Sequence, residues 1–255
     1  RIGRLLAMPP KKIDISAILE HVRKNLGIAL SDKQSEAVYM AFSSNLSIIT
    51  GSPGTGKTTV LKAIIEVYKA LYPKEKIKLA APTGRASRRM AESTSETDAS
   101  TLHSMLGLQN EDGYFKKDKE AEPIGAGLII VDESSMIDMW LARQFFMRIG
   151  NNTKIVLVGD PDQLQSVGAG DVFRQLINSG LIPVTVLDKI FRQKDGSRIA
   201  LNARAINNDQ TKLSYGDDFC FYKCQTQDQA ADIIKRAFCD LTEKYGIENV
   251  QILSP

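Results

Sequence analysis

The sequence predicts an α/β fold, doubly wound around a central, mostly parallel sheet. Three observations carry that expectation. Short apolar runs alternate with segments of helical period along most of the chain. Several of the runs are apolar at every position, as in Leu128-Ile-Ile-Val131 and Ile155-Val-Leu-Val158, which is what strands covered on both faces require. The stretch Gly51-Ser52-Pro53-Gly54-Thr55-Gly56-Lys57-Thr58-Thr59 lies between one such run and a helix-period run, in the strand, loop, helix order of a phosphate-binding loop.

Taken in order, residues 1–27 hold a Pro9-Pro10 break and an amphipathic run from Ile13 to Leu26 ended by Gly27, read as the end of a preceding helical domain. A helix follows from Leu30 to Phe42, with Ser31 or Asp32 as its cap and Gln34 in its first turn. Strands are expected at 46–50, 77–81, 127–131, 154–158 and 184–187, with a helix after the loop through Val60, Leu61, Ile64, Ile65, Tyr68 and Leu71. Between Leu108 and Gly125 lies a polar insertion, with a hairpin signal at Asp112-Gly113 and a solvated charge run at 116–120. Met136, Met139 and Met147 read as core filler. After Asp195-Gly196 a helix is expected to about Ile206. A second unit then follows, with a strand at 219–223, a helix through Ala230, Ile233, Ile234, Ala237 and Leu241, and a strand at 250–253. The main domain is placed at 28–215 and the beginning of a second, truncated one at 216–255, so the chain reads as a piece of something longer.

Composition narrows the class. The chain has 255 residues, room for one large domain or one and part of another, and its 43% hydrophobic content can build a core. No apolar run approaches the roughly 20 residues of a membrane span, and no signal-peptide pattern opens the chain, so a soluble, cytoplasmic protein without a membrane partner is expected. Cys220, Cys224 and Cys239 lack metal-ligand spacing and read as reduced, structural thiols. The net charge of +3 hides an asymmetry: residues 1–90 carry 16 Lys and Arg against 6 Asp and Glu, and the remainder 17 against 24. That split fits a polyanion partner on one face, and it fits equally a solvated loop and strand edge around Lys74, Lys76 and Lys78.

The chemistry begins at the glycine-rich loop. Its backbone N–H groups must turn inward around a polyphosphate, which a Cβ would obstruct, while the following helix adds its positive end. Lys57 would reach the β- and γ-phosphates of a nucleoside triphosphate and Thr58 would hold Mg²⁺. Asp132 and Glu133 end the run 128–131 at the sheet edge shared with the loop. Asp132 is suited to hold Mg²⁺ through water and Glu133 to deprotonate an attacking water, which implies hydrolysis. Gln163, after Ile155-Val-Leu-Val-Gly159-Asp160, would sit beside the γ-phosphate, where an amide can donate to phosphate and accept from water.

With Asp132-Glu133-Ser-Ser-Met136, Gly159-Asp-Pro-Asp-Gln-Leu-Gln-Ser-Val167-Gly-Ala-Gly and Ile190-Phe-Arg192-Gln193, the sequence resembles the superfamily 1B DNA helicases of the RecD/TraA type, the exodeoxyribonuclease V alpha-subunit-like group, across about residues 28–207. The resemblance implies a RecA-like ATPase domain followed by a second RecA-like domain. It also implies ATP and Mg²⁺ as cofactors, 5′-to-3′ unwinding in DNA recombination and repair, single-stranded DNA as partner and membership of a nuclease/helicase complex. It gives Gln34 the adenine edge and Arg192 the γ-phosphate. Pro82, Thr83, Gly84 and Arg85, with Thr101 and His103, take the DNA groove. From residue type alone, a strand end followed by Thr, Gly and Arg offers hydroxyl, N–H and guanidinium donors to phosphates. Without the resemblance, His103 reads as a packed helix histidine, and Arg85, Arg88 and Arg89 read equally as DNA contacts or as a solvated face. Three other readings stay open: a Pif1-like helicase, a nucleotide kinase, which Asp132-Glu133 disfavours, and a nucleotide- and DNA-binding module without independent activity.

Overall fold

The computed structural model describes residues 2–9, 13–96, 98–108, 123–150, 152–189 and 197–254. The chain divides into two compact units, residues 1–193 and 194–255.

The first unit is built on a parallel sheet of six strands among the described residues, in the order β3-β2-β4-β5-β1-β6. The strands are β1 (Leu46–Gly51), β2 (Ile77–Ala81), β3 (Ala99–Thr101), β4 (Leu128–Val131), β5 (Lys154–Gly159) and β6 (Val184–Leu187). Five of them fall where the apolar runs predict, and β3 joins through its ladder with β2, Leu79 opposite Ala99 and Ala81 opposite Thr101. Alternate strand residues feed two cores. Ile49, Leu79, Leu128, Ile130, Val156 and Val158 face one side, where they pack with α2 (Ser16–Leu26), α3 (Asp32–Ser43), α4 (Lys57–Leu71) and Met90 of α5 (Gly84–Thr94). Leu46, Ile48, Ala80, Ile129, Val131, Ile155 and Leu157 face the other, against α1 (Ile2–Ala7), α6 (Leu102–Met105), α7 (Met139–Met147) and α8 (Val172–Asn178). Burial on both sides explains why these strands are apolar at every position. Each fully buried Leu, Ile or Val contributes about 1.5–3 kcal/mol.

Local sequence sets the helix ends. Ser31 caps α3 in a reciprocal capping box with Gln34, and Gly27 ends α2 with φ 61°. The methionines differ from expectation: Met136, Met139 and Met147 are 38%, 57% and 39% exposed, because they lie on the outer side of a segment whose inner side is held by Ile137, Leu141 and Phe145.

The second unit holds α9 (Arg198–Asn207) and α10 (Gln227–Tyr245), so α9 lies on the other side of the division from the sheet, whereas the expected boundary near Tyr215-Gly216 grouped them. Segments 219–223 and 250–253 form no ladder; Phe219 makes one isolated bridge, to Gly216. A strand needs a neighbour, and none is present among the described residues of this unit. Asn202 is the one buried side chain among its described residues, and α10 buries none. All three cysteines are free thiols, with Cys220 and Cys239 exposed and so without a packing role. The hairpin signal at 112–113, the charge run at 116–120 and Arg192 lie outside the described residues.

Candidate nucleotide and nucleic-acid site

Because all six strands run parallel, their C-terminal ends share one edge, and every candidate site residue that is described follows a strand there, except Gln34. Strand β1 lies one strand in from the sheet's edge, between β5 and β6, and opens into the loop before α4. Gly54 and Gly56 have φ of 86° and 82°, which strains any residue with a Cβ. At Gly51 a Cβ would stand 2.7 Å from the Leu187 carbonyl oxygen and 2.7 Å from Thr55 Oγ1. Thr55 is buried, and its Oγ1 donates to the Ser52 carbonyl at 2.9 Å. The Lys57 ammonium donates to the carbonyls of Gly51 and Ser52, and burial lowers its pKa against the opposing pull of the Asp160, Asp132 and Glu133 carboxylates.

Gln34 reaches the loop from behind. Its Oε1 accepts from the Ser31 N–H at 2.9 Å and its amide nitrogen donates to the Thr55 carbonyl at 3.2 Å. With only 3% of the residue exposed, both ends of the amide are engaged, and it braces the loop against α3. Adenine reading by Gln34 would require those bonds to open.

The acidic residues leave β4 at the same edge. Burial is the main cause that pushes the Asp132 carboxyl up to about 6; the Glu133 N–H, donating to Asp132 Oδ1 at 2.8 Å, opposes it, the Glu133 charge adds to it, and Lys57 opposes it. Glu133 adopts φ 52° and ψ 38°, a left-handed conformation rare for a residue with a side chain, and it turns the chain into the 3-10 turn Ser134–Met136. After β5, the buried Asp160 accepts from the Asp162 N–H at 3.0 Å and from the Gln163 amide at 3.4 Å.

Pro53, Gly54, Gly56, Lys57, Thr58, Asp132, Glu133 and Gln163 line one cleft of about 880 Å³, a volume that accommodates a nucleotide. The residues fit a magnesium triphosphate: the close surroundings of Gly51 leave room for a backbone cradle and not for a side chain. The cleft also joins the Thr58 hydroxyl, the Asp132 and Glu133 carboxylates and the Lys57 ammonium, groups of the kind that a hard cation and a polyphosphate need. Arg89, Glu92 and Ser93 of α5 complete the wall. Sequence reasoning gave none of these three, nor Asp160, a place in the nucleotide site. The spacing Arg85, Arg89, Glu92 marks one face of the helix after Thr83 and is the signal that could have found the α5 residues.

A second cleft, of about 330 Å³, is lined by Thr83, Arg85, Ala86, Arg89, Glu133, Met136, Gln163 and Leu164. Ala86, Arg89, Glu133 and Gln163 border both clefts. Thr83 Oγ1 accepts from the Ala86 N–H at 3.2 Å and Thr101 Oγ1 from the Ser104 N–H at 3.1 Å, so both threonines cap helices and keep their O–H free to donate outward. Pro82 and Gly84 flank Thr83 at the end of β2. Thr101 and His103 stand beyond these clefts, after β3, and the His103 ring stacks on Trp140. Ser52 and Thr59 belong to the loop and the first turn of α4 without lining either cleft.

Sheet, loop and carboxylates together define a RecA-like fold, with the phosphate-loop motif at the carboxyl edge of a parallel sheet. The chain belongs to the AAA domain family, whose model matches residues 29–225. It is 36% identical over 167 residues to the RecBCD enzyme subunit RecD of Haemophilus influenzae, a match covering 57% of this chain and 26% of that protein. It is 35% identical over 195 residues to the ATP-dependent RecD2 DNA helicase of Deinococcus radiodurans, covering 75% of this chain and 26% of that one. The chain thus spans about a quarter of the length of these curated relatives. Among solved structures, a Pif1 helicase from Candida albicans matches with a TM-score of 0.55 and 24% identity, covering 89% of this chain and 49% of that one, a likeness of fold. The resemblance to RecD-type helicases read from the motifs is borne out by these matches. Among the described residues no helix is long and apolar enough to cross a membrane.

Proposed function

We propose that this chain is the ATP-binding and ATP-hydrolysing part of a RecD-type DNA helicase motor, gripping single-stranded DNA and moving 5′-to-3′ in DNA recombination and repair. The observation that carries the reading is the continuity of the two clefts: Glu133 and Gln163, suited to hydrolysis, also border the cleft of Thr83 and Arg85, suited to a phosphate backbone. The RecD and RecD2 relatives support the same reading.

In this reading the loop from Gly51 to Thr59 wraps the triphosphate with its N–H groups and Lys57 neutralises the β- and γ-oxygens. Thr58 and Asp132 would hold Mg²⁺, which would supply positive charge to offset that of the phosphates. Glu133 accepts the proton of the attacking water, and its turn at the strand end fixes where that carboxylate stands. Gln163 hydrogen-bonds the γ-phosphate and the water, and Arg192 adds positive charge to the γ-phosphate. Gln34 acts on the nucleotide through the loop it braces, with the adenine edge as its second assignment. Pro82, Thr83, Gly84 and Arg85, with Thr101 and His103, hold the DNA backbone with little sequence reading. Residues 216–255 begin a second RecA-like domain; its support is that the described residues of this stretch bury no side chain. A cytoplasmic nuclease/helicase complex is the proposed setting, as the relatives named RecBCD enzyme subunit suggest.

The test is equilibrium binding of ATP with Mg²⁺ to the parent chain and to Lys57→Ala, beside anisotropy of a labelled single-stranded oligonucleotide. Loss of nucleotide binding with retained DNA binding is expected. Parental ATP affinity in Lys57→Ala would remove the phosphate-loop assignment, and absence of DNA binding in the parent would remove the helicase reading.

A further inference from the structure

We propose that Trp140 and His103 form a platform on which one base of the bound single strand stacks, so that the site holds DNA by a base face as well as by phosphates. This rests on the DNA-binding reading above.

Trp140 is the single tryptophan of the chain and is 38% exposed in the first turn of α7. Its ring lies near-parallel to that of His103, with centroids 6.5 Å apart and an interplanar angle of 27°. The two rings come from different strand-ends, His103 from α6 after β3 and Trp140 from α7 after β4, and the core fixes both. Leu102 and Leu106 anchor α6, and Leu141 and Phe145 anchor α7, in the same buried cluster. The start of α7 is pinned twice more, by Asp138 Oδ1 accepting from the Leu141 N–H at 2.7 Å and by the Met139 N–H donating to the Ala169 carbonyl at 2.9 Å. A ring pair held this firmly is pre-organised, so little side-chain freedom is lost when a flat partner arrives.

The neighbours fit a nucleic acid strand. Met136 and Met139, 38% and 57% exposed, extend the apolar surface beside Trp140, and Met136 lines the cleft that also contains Thr83 and Arg85. Thr101, two residues before His103, keeps an O–H for a phosphate. Phosphate donors thus lie beside an exposed indole along one sheet edge. That combination describes a single-strand groove, where each base offers a face for stacking and phosphates carry the salt-dependent part. It also accounts for the partial exposure of Met136, Met139 and Trp140 at this edge.

Because Trp140 is the sole tryptophan, its fluorescence reports the platform directly. The parent chain, titrated with an oligothymidylate, should show quenching that tracks binding measured by anisotropy of the labelled strand. An abasic strand of equal length should bind through phosphates without that quenching. Trp140→Ala should weaken oligothymidylate binding by about ten-fold and leave abasic binding unchanged, while Trp140→Phe should keep most of the affinity. Circular dichroism checks folding; if Trp140→Ala unfolds, Trp140→Phe and the parent's intact-against-abasic comparison decide the matter. DNA binding with unmoved tryptophan fluorescence, or equal quenching by abasic and intact strands, overturns the platform alone. No binding of either strand overturns the platform and the DNA-binding reading together.

Discussion

Glycine at position 133 should make the protein more stable and leave it without turnover. Glu133 holds φ 52° and ψ 38°, a conformation that costs a residue with a Cβ about 1–2 kcal/mol. Glycine avoids that cost but brings a more flexible unfolded chain, worth about 0.4–1 kcal/mol in the other direction. The difference leaves Glu133→Gly more stable than the parent by about 0.5–1 kcal/mol, or roughly 1–4 °C in melting temperature for a chain of this size. Removing the Glu133 charge also relieves the buried Asp132 carboxyl beside it, in the same direction. Glu133→Gln and Glu133→Ala keep the left-handed backbone and should melt within about 1 °C of the parent. All three substitutions remove the proton acceptor and should slow ATP hydrolysis by about 10²–10⁴-fold while nucleotide binding survives. Thermal unfolding followed by Trp140 fluorescence reads the sheet-bearing unit, and a phosphate-release assay on the complete motor reads the chemistry. A Glu133→Gly protein that melts below Glu133→Ala would refute the strain reasoning. Parental turnover in Glu133→Gln would remove Glu133 from the mechanism.

Gly51→Ala should destabilise the first unit by about 1–3 kcal/mol and weaken ATP binding, because the new methyl group would stand 2.7 Å from both the Leu187 carbonyl oxygen and Thr55 Oγ1; an unchanged melting curve would contradict the loop packing. Arg85→Glu should weaken single-stranded DNA binding and reduce the slope of log affinity against log salt by about 0.7 for each phosphate that is no longer neutralised. A slope equal to that of the parent, read from titrations at several salt concentrations, would take Arg85 off the DNA.

The parts legible in the sequence were those whose cause is local. The phosphate loop and the Asp132-Glu133 pair are runs of adjacent residues, and β1, β2, β4, β5 and β6 show themselves because a strand covered on both faces needs apolar residues throughout. Strand β3 has no such signature: Ala99-Ser100-Thr101 becomes a strand because β2 offers it an edge. The converse holds at 219–223 and 250–253, which have strand composition and no ladder partner among the described residues. Helical phase explains the other differences. Met136, Met139 and Trp140 turn outward while Ile137, Leu141 and Phe145 turn in, and the direction of the core is a property of the whole sheet. Gln34 shows a further limit: its place in the first turn was readable, but its bond to the Thr55 carbonyl depends on where α3 meets the loop.

The order β3-β2-β4-β5-β1 also acts as a ruler. Three inter-strand spacings separate the phosphate loop after β1 from Thr83 after β2, about 14 Å at the usual strand separation. Backbone hydrogen bonds set that interval, and no side chain does. Substitutions of surface residues along this edge can therefore alter the chemistry offered at each strand end, but the distance between the two strand ends is left to the sheet.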